Sequence, residues 1–372
     1  MKTIFIFLIS IMSFSTYGQT PEELISTAAK EYEAMNFELS LDLCNEAIQM
    51  DPQMSNAYFQ RGKAQLLLGD LYAAISDFKK TIELNPQSAD AYNNLGYISF
   101  ETKKYDEAIL YLDKAIKINP KHLKAYKLRA DVNIALKKKS EALSDYNKAI
   151  ELNPNFAEVY YDRADLNLNM NDPKGAVSDL DNAIKINPEY EDAYFVRGYT
   201  LNQMGYYERA IEDFSMAIKF DPSFSEYYYN RGTARLQSDQ LEGAIKDFDK
   251  TIQLNPKDLR AYKFSGIAKA QKGDFQEAIR YLDIYLTSYP QNAFSLFNRG
   301  IAKYGLVDYK AAISDFDKCI ELDPKDEMSY YLRGMSKINI SDKENGCSDL
   351  KKAVELGYKQ AADEFINHCD RY

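Results

Sequence analysis

The amino-acid sequence predicts an all-α protein made of about ten helix-turn-helix repeats followed by a capping helix. Three observations predict this fold. Nine prolines recur at intervals of 34 residues, small residues recur at two fixed places in each interval, and turn residues separate two helical stretches. The prolines are Pro52, Pro86, Pro120, Pro154, Pro188, Pro222, Pro256, Pro290 and Pro324.

The residues that precede the repeats have the pattern of a secretory signal peptide. Lys2 is followed by the apolar residues 4–12, and small residues surround a cleavage site after Gly18. The apolar stretch is too short to span a bilayer. We therefore predict that residues 1–18 are removed and that the mature protein, residues 19–372, is exported to the periplasm or secreted.

Each 34-residue repeat is predicted to form one helix hairpin. Position 8 is Gly or Ala, and position 20 is Ala, Ser or Gly, so the two helices can approach closely. Turn residues at positions 15–17 separate helix A, at about positions 2–14, from helix B, at about positions 18–30, which ends before the proline at position 32. The repeats begin at Pro21, Ser55, Ala89, Leu123, Ala157, Glu191, Ser225, Leu259, Ala293 and Glu327.

A capping helix is predicted after repeat 10, at about residues 359–370. Gly357 ends helix B of repeat 10, with Cys347 ten residues before this glycine and Cys369 twelve residues after it. An antiparallel arrangement brings the two cysteines together, and an oxidising compartment favours their disulfide.

The 34-residue pattern resembles the tetratricopeptide repeat, over residues 21 to about 360. The matching features are Gly or Ala at position 8, Ala at position 20, Pro at position 32 and Tyr at position 4. The tyrosines are Tyr58, Tyr92, Tyr126, Tyr160, Tyr194, Tyr228, Tyr262 and Tyr330. The resemblance implies one right-handed superhelical solenoid over residues 19–372, whose helices A line a concave groove.

In this family the groove often holds an extended peptide or a helix of a partner. Positions 2, 5, 9 and 12 are expected to lie opposite the side of helix A that meets helix B. Aromatic rings at positions 5, 9 and 12, with amides at position 6, suit a protein-binding surface, although a ring at position 5 can also pack against the adjacent repeat. The predicted partner-binding residues are Phe59, Lys63, Asn94, Tyr97, Lys127, Tyr161, Phe195, Tyr199, Tyr229, Asn230, Phe297, Asn298, Tyr304 and Tyr331.

Two other ligands remain open for the predicted groove. Tetratricopeptide domains that clamp the acidic carboxyl tail of chaperones use a set of Lys and Asn residues, of which this chain has only Asn94 and Lys124. Aromatic faces also stack on sugars, so a glycan or another small ligand is the alternative to a protein partner.

Arginine at position 7 accompanies aspartate at position 23 in seven repeats, whereas repeats 1, 3 and 8 lack both. The two positions are equally distant from the turn at position 15, so a hairpin places them side by side. We predict ion pairs that fix the register of the hairpin, with an acidic ligand as the alternative partner of the arginines. The pairs are Arg61–Asp77, Arg129–Asp145, Arg163–Asp179, Arg197–Asp213, Arg231–Asp247, Arg299–Asp315 and Arg333–Asp349.

The sequence gives no catalytic, cofactor-binding or metal-binding constellation. The two histidines, His122 and His368, are far apart, and phosphate-binding glycine motifs and C-x-x-C spacing are absent. Cys44 and Cys319 occupy core positions, which indicates buried thiols. The net charge of −10 argues against nucleic acid and anionic membranes as partners. We therefore predict a non-catalytic binding protein without a cofactor and without insertion into a membrane.

Overall fold

The computed structural model describes residues 19–369, and every regular element among them is an α-helix. The predicted signal peptide, residues 1–18, lies outside the described residues. The helices are α1 (Pro21–Glu33), α2 (Phe37–Met50), α3 (Ser55–Leu67), α4 (Leu71–Leu84), α5 (Ala89–Glu101), α6 (Tyr105–Ile118), α7 (Leu123–Ala135), α8 (Lys139–Leu152), α9 (Ala157–Asn169), α10 (Pro173–Ile186), α11 (Glu191–Gln203), α12 (Tyr207–Phe220), α13 (Ser225–Gln237), α14 (Leu241–Leu254), α15 (Leu259–Lys272), α16 (Phe275–Ser288), α17 (Ala293–Gly305), α18 (Tyr309–Leu322), α19 (Glu327–Asn339), α20 (Lys343–Leu356) and α21 (Gln360–Cys369).

The helices follow the 34-residue period, and each begins one residue earlier than the sequence predicts. Helix A takes positions 1–13 and helix B positions 17–30 in most repeats, as α3 and α4 show. Side chains cap some of these helices at their observed starts. Ser88, just before α5, accepts a hydrogen bond from the backbone N–H of Ala91, and Asp70, just before α4, accepts one from Ala73.

The turn between helix A and helix B has the same backbone conformation in all ten repeats. Position 15 is left-handed in each, with φ between 59° at Lys103 and 89° at Gly273. Glycine adopts this conformation without steric cost, yet seven repeats have another residue there, including the β-branched Val307 with φ 64°. Packing of the two helices therefore imposes the turn, whatever residue occupies it.

Small residues at position 8 allow a large apolar residue of helix B to reach helix A. A Cβ added to Gly62 would lie 3.0 Å from the ring of Phe78, and one added to Gly232 would lie 2.8 Å from the ring of Phe248. Both rings, at position 24, are fully buried. Full burial of such a ring stabilises the fold by about 2–3 kcal/mol, so the core of each hairpin is centred on position 24.

The chain divides into two compact units, of which one ends at Leu166 and the other begins at Asn167. The hairpins of repeats 1–4 belong to the N-terminal unit, and those of repeats 6–10 belong with α21 to the C-terminal unit. Within each unit, helix A of a repeat packs against helix B of the preceding repeat, as α3 does on α2 and α13 on α12. This consecutive stacking of hairpins is the all-α solenoid architecture. One continuous solenoid over residues 19–372 stays a prediction.

The last helix of the C-terminal unit, α21, closes repeat 10. Gly357, with φ 104°, ends α20 and reverses the chain, so that α21 packs against α20. Leu350 and Ala361 are fully buried in this contact. Cys347 and Cys369 form a disulfide between the two helices, with 5.7 Å between their Cα atoms.

The other two cysteines are free thiols in the cores of the two units. Cys44 is completely buried and Cys319 is 1% exposed. Burial raises the pKa of Cys44 to about 12 and the pKa of Cys319 to about 11, so both thiols stay protonated at neutral pH and are poor nucleophiles. Within residues 19–369, none of the helices has the length and apolar composition needed to cross a membrane.

Candidate functional site

The aromatic rings at position 5 lie between helix A and helix B. The ring of Phe59 is 5.8 Å from that of Phe78, and the ring of Phe195 is 6.0 Å from that of Phe214, which are ordinary distances for packed aromatic pairs. The interpretation that position 5 points away from helix B is therefore wrong for these rings. The physical reason is the small residue at position 8, which lets the position 24 ring reach helix A, where position 5 lies one turn earlier.

Other predicted rings also take part in packing within the C-terminal unit. Phe297 is 6.0 Å from Phe316, and Tyr229 is 6.0 Å from Phe248. A contact also reaches the loop between α20 and α21, because Tyr331 lies 5.0 Å from Tyr358, the residue after the glycine that ends α20. These rings, together with Tyr161 and Tyr304, are half-buried, so a ligand can contact only part of each.

Two of the predicted rings are exposed. Tyr97 in α5 is 40% exposed and Tyr199 in α11 is 48% exposed. Both occupy position 9, the first in the N-terminal unit and the second in the C-terminal unit. A large part of each ring is accessible to solvent on its helix A and is not buried in the core. The two rings are therefore the strongest candidates for contact with a partner.

The predicted amides at position 6 donate hydrogen bonds within their own helices. Asn94 Nδ2 donates to the carbonyl oxygen of Asp90 at 2.8 Å, and Asn298 Nδ2 donates to that of Phe294 at 2.7 Å. Asn230 makes the same bond, and Asn230 and Asn298 are only 6% and 7% exposed. These amides have limited capacity to bind the backbone of a peptide.

Lys127, predicted as a positive charge of the groove, is surrounded by carboxylates of the N-terminal unit. Its Nζ lies 3.0 Å from Asp131 and Glu158 and 3.1 Å from Asp162. Burial disfavours the ammonium, but Asp131 and Asp162 outweigh it and raise the pKa of Lys127. Burial also raises the pKa of Asp162 to about 6. With three carboxylates around one ammonium, this Lys127 cluster is acidic, so Lys127 is not free to bind an anion.

Lys63, the other predicted lysine, contacts an aromatic ring. Its Nζ lies 3.9 Å from the centre of the Tyr32 ring, a distance that gives a favourable cation–π interaction. Burial lowers the pKa of Lys63 from its ordinary value. This lysine is therefore held against helix α1 and is half-buried.

The arginines at position 7 form two-pronged ion pairs with the aspartates at position 23 of the same repeat. Arg61 donates from Nε and Nη2 to the two carboxylate oxygens of Asp77, both at 2.7 Å. Asp77 is 4% exposed, and the guanidinium lies 5.5 Å from the Tyr58 ring. The same pairs within one unit are Arg129–Asp145, Arg197–Asp213, Arg231–Asp247, Arg299–Asp315 and Arg333–Asp349. Arg163 and Asp179 belong to different units, and their pairing stays a prediction.

Each arginine at position 7 has a further contact that spacing within one repeat does not predict. Arg197 Nη1 donates to Asp181 Oδ1 at 2.6 Å, and Asp181 is at position 25 of the preceding repeat. The guanidinium thus joins two consecutive repeats, with Nε, Nη1 and Nη2 all donating within the chain. The signal was present in the sequence, because position 25 before an arginine-containing repeat is polar. The position 25 acceptors are Asn45, Asp113, Asn147, Asp181, Ser215, Asp283 and Asp317.

In the part of the chain that the structure describes, the histidines and acidic residues form no recognisable metal site. His122 is 8% exposed and caps α7, with Nδ1 accepting a hydrogen bond from the backbone N–H of Ala125. Within residues 19–369, no group of three or more His, Cys, Asp or Glu side chains is arranged to hold a metal ion.

Family models of the tetratricopeptide repeat match more than half of the chain. One tetratricopeptide repeat model matches residues 89–122. A second matches residues 55–88 and 157–190, and a third matches residues 229–293 and 265–327. A fourth, a TPR repeat model, matches residues 130–171 and 198–239. No curated protein sequence is significantly similar to the chain.

Several solved structures are similar to the chain at low sequence identity. YrrB, described as a TPR protein with an unusual peptide-binding site, is 24% identical, covers 50% of this chain and 95% of its own, and has a TM-score of 0.46. A MamA fragment from Desulfovibrio magneticus RS-1 is 20% identical, with coverages of 46% and 96% and a TM-score of 0.43. The APC/C hetero-tetramer Cut9–Hcn1 is 14% identical, with coverages of 95% and 84% and a TM-score of 0.46.

Proposed function

Because the chain belongs to the tetratricopeptide repeat family, we propose that it is a non-catalytic scaffold that binds a peptide or a helix of a protein partner. The observation that carries this proposal is the exposure of Tyr97 and Tyr199 at equivalent positions of two helices A. Large aromatic residues on a rigid surface are typical of the residues that dominate the free energy of protein association.

The rigidity of the helix A face supports this role in the C-terminal unit. Tyr199 lies one helical turn after Phe195, and Phe195 is fixed by the rings of Phe214 and Tyr227, at 6.0 Å and 5.0 Å. A side chain on such a face loses little conformational entropy when a partner binds, because the backbone beneath it is already ordered.

We propose in addition that the protein is exported. The pattern of residues 1–18 supports export, and so does the disulfide between Cys347 and Cys369, since disulfides persist in oxidising compartments. The mature protein is expected to begin at Gln19, which N-terminal sequencing of protein from the cell envelope or the medium can check. Uncleaved protein retained in the cytoplasm would contradict export.

Site-specific photo-crosslinking tests the proposed binding face. The photoreactive residue p-benzoylphenylalanine is placed singly at position 97, 199 or 72 of the full chain, and cells are irradiated before the envelope is extracted. Tyr72, on helix B of repeat 2, is 90% exposed and serves as the matched control. We expect a defined protein to crosslink from position 97 or 199 and not from position 72.

A second step asks whether the two rings contribute to affinity. The double variant Tyr97→Ala and Tyr199→Ala is expected to weaken binding of the crosslinked partner about tenfold or more, with an unchanged melting temperature because both rings are exposed. Equal crosslinking from all three positions would contradict the proposal. Glycan-array binding without any protein crosslink would favour the glycan alternative.

A further inference from the structure

A cavity of about 310 Å³ opens between α1 and α3 in the N-terminal unit. Its walls include Ile25 and Ala29 of α1 and Met54, which precedes α3, and Gln60 of α3 contributes an amide. The exposed residues Glu22, Ser26 and Asn56 complete the lining, most of whose surface is apolar. None of the predicted partner-binding residues lines this cavity, so it is a separate feature of the helix A side of repeats 1 and 2.

The cavity exists because repeat 1 has an unusually small residue at position 9. This position is Ala29 in repeat 1, whereas the other repeats carry larger residues there, such as Lys63, Tyr97 or Ile267. Ala29 is half-buried, and Ile25, one turn earlier, is 5% exposed. The space that a larger side chain fills elsewhere is therefore open between α1 and α3.

The amide nitrogen of Gln60 is buried beside this space without a partner. Gln60 is 6% exposed, and its Nε2 has no hydrogen-bond partner among residues 19–369. At the same position 6, Asn94, Asn230 and Asn298 each donate to the carbonyl oxygen four residues earlier in their own helix. A buried N–H donor without an acceptor destabilises a fold, so Gln60 Nε2 has the properties of a donor available for a ligand.

We propose that this cavity binds an aliphatic side chain of an extended peptide, while the Gln60 amide pairs with the backbone amide beside that side chain. The apolar walls favour an uncharged hydrocarbon group, and the volume is at the lower end of the range for ligand pockets, which suits a single side chain. Gln60 Nε2 can donate to a peptide carbonyl, so the peptide backbone supplies the acceptor that this nitrogen lacks in the free protein. The proposal rests on the proposed function and specifies one anchor residue of the ligand.

Binding of short peptides to the purified protein tests this proposal. The probe is the peptide acetyl-Ala-Ser-Leu-Ser-Ala-amide, with Ala or Glu replacing Leu in two control peptides, and binding is followed at millimolar concentration by NMR. We expect the Leu peptide to bind, and the Ala and Glu peptides to bind about tenfold more weakly, since the cavity recognises the size and the apolar nature of the anchor.

Variants of two buried amides separate a ligand-binding amide from a structural one. Gln60→Leu removes an amide nitrogen that has no partner in the free protein, so it is expected to raise the melting temperature and to weaken binding of the Leu peptide about tenfold. Asn133→Leu is the matched control, because the Asn133 amide is also 6% exposed but already donates to Asp145; this variant is expected to lower the melting temperature and to leave peptide binding unchanged. Ala29→Phe fills the cavity and is expected to abolish binding.

Three results would overturn the cavity proposal: no binding of the Leu peptide, equal binding of the Leu and Ala peptides, or a lower melting temperature in Gln60→Leu. Peptide binding that Ala29→Phe and Gln60→Leu leave unchanged would also overturn it. Crosslinking of a partner from position 97 or 199 would leave the proposed function standing in each of these cases. Conversely, binding of the Leu peptide without any crosslinked protein would support the cavity and contradict the proposed roles of Tyr97 and Tyr199.

Discussion

Repeats 6 and 8 of the C-terminal unit form the same helix hairpin but join its helices with different chemistry. In repeat 6, Arg197 donates to Asp213 at 2.9 and 2.6 Å. Repeat 8 has Ser265 and Tyr281 at those two positions. The carboxylate of Asp249, in the preceding repeat, accepts instead from Ser265 Oγ at 2.9 Å and from Lys269 Nζ at 3.2 Å.

This difference shows that apolar packing holds the two helices of a hairpin together, whereas the ion pair is needed only where a carboxylate is buried. Both repeats have glycine at position 8 and a fully buried residue at position 24, Phe214 in repeat 6 and Leu282 in repeat 8. Asp213 is 4% exposed, and its ionised form would be very costly without Arg197. The side chain of Asp249 is 38% exposed, so water shares in its solvation.

Removing the arginine of repeat 6 should give the largest effect. Arg197→Leu leaves the buried carboxylate of Asp213 without its partner, and position 11 of this repeat, Leu201, offers no second cation. We expect a loss of about 3–4 kcal/mol in the free energy of unfolding of the C-terminal unit, measured by urea denaturation.

A triple variant tests the cause of that loss. Arg197→Leu with Asp213→Tyr and Phe214→Leu gives repeat 6 the residues of repeat 3 at positions 7, 23 and 24. Most of the stability should return, because the triple variant contains neither the charge nor the unpaired carboxylate. A triple variant as unstable as Arg197→Leu would show that the unpaired charge is not the cause.

The Lys127 cluster extends the comparison to a site with more carboxylates than cations. Burial raises the pKa of Asp162 from 3.8 to about 6. The proton that Asp162 holds in the folded chain stabilises the fold fully below about pH 4, and this contribution is lost as the pH rises through about 6. Asp162→Asn should therefore raise the free energy of unfolding by up to about 2 kcal/mol at pH 8 and change it little at pH 4. Urea denaturation at both pH values measures this difference. An equal increase in the free energy of unfolding at both pH values would show that the raised pKa of Asp162 is not the cause.

The smallest effect is expected in repeat 8. Lys269→Met removes the cation near Asp249, but the carboxylate keeps its hydrogen bond from Ser265 and its contact with water. The methionine side chain can pack on Tyr281, whose ring lies 4.8 Å from Lys269 Nζ. We expect a loss below about 1 kcal/mol in urea denaturation. A loss as large as that of Arg197→Leu would mean that exposure of the carboxylate does not explain the difference between the two repeats.

The sequence was sufficient for those features that depend on spacing within one repeat. The 34-residue period predicts the helices and turns of the ten repeats to within about one residue. The equal distance of Arg61 and Asp77 from the turn indicates that they face each other. Features that depend on neighbouring repeats were harder to predict. The partner of Arg197 in the preceding repeat and the carboxylates around Lys127 require knowledge of how hairpins stack.

The predicted orientation of the position 5 rings was wrong for a related reason. A helical wheel treats helix A as isolated, whereas the glycine at position 8 brings helix B so close that Phe59 contacts Phe78. The cavity beside Gln60 depends on the volumes of residues from two repeats, and no spacing rule predicts it. Contacts within a hairpin can thus be derived from a repeat pattern, while surfaces and cavities require the packed structure.

The disulfide between Cys347 and Cys369 gives the two ends of the chain unequal resistance to fraying. A terminal repeat has a neighbour on one side only, so it is where a repeat protein begins to unravel. At the C-terminal end, α21 is covalently tied to α20. At the N-terminal end of the described residues, α1 is held by the hydrogen bonds between Thr20 and Glu23 and by packing against α2 and α3, without a covalent bond. Unfolding should therefore begin at repeat 1. A reducing agent should break the disulfide and allow unfolding to begin at repeat 10 as well.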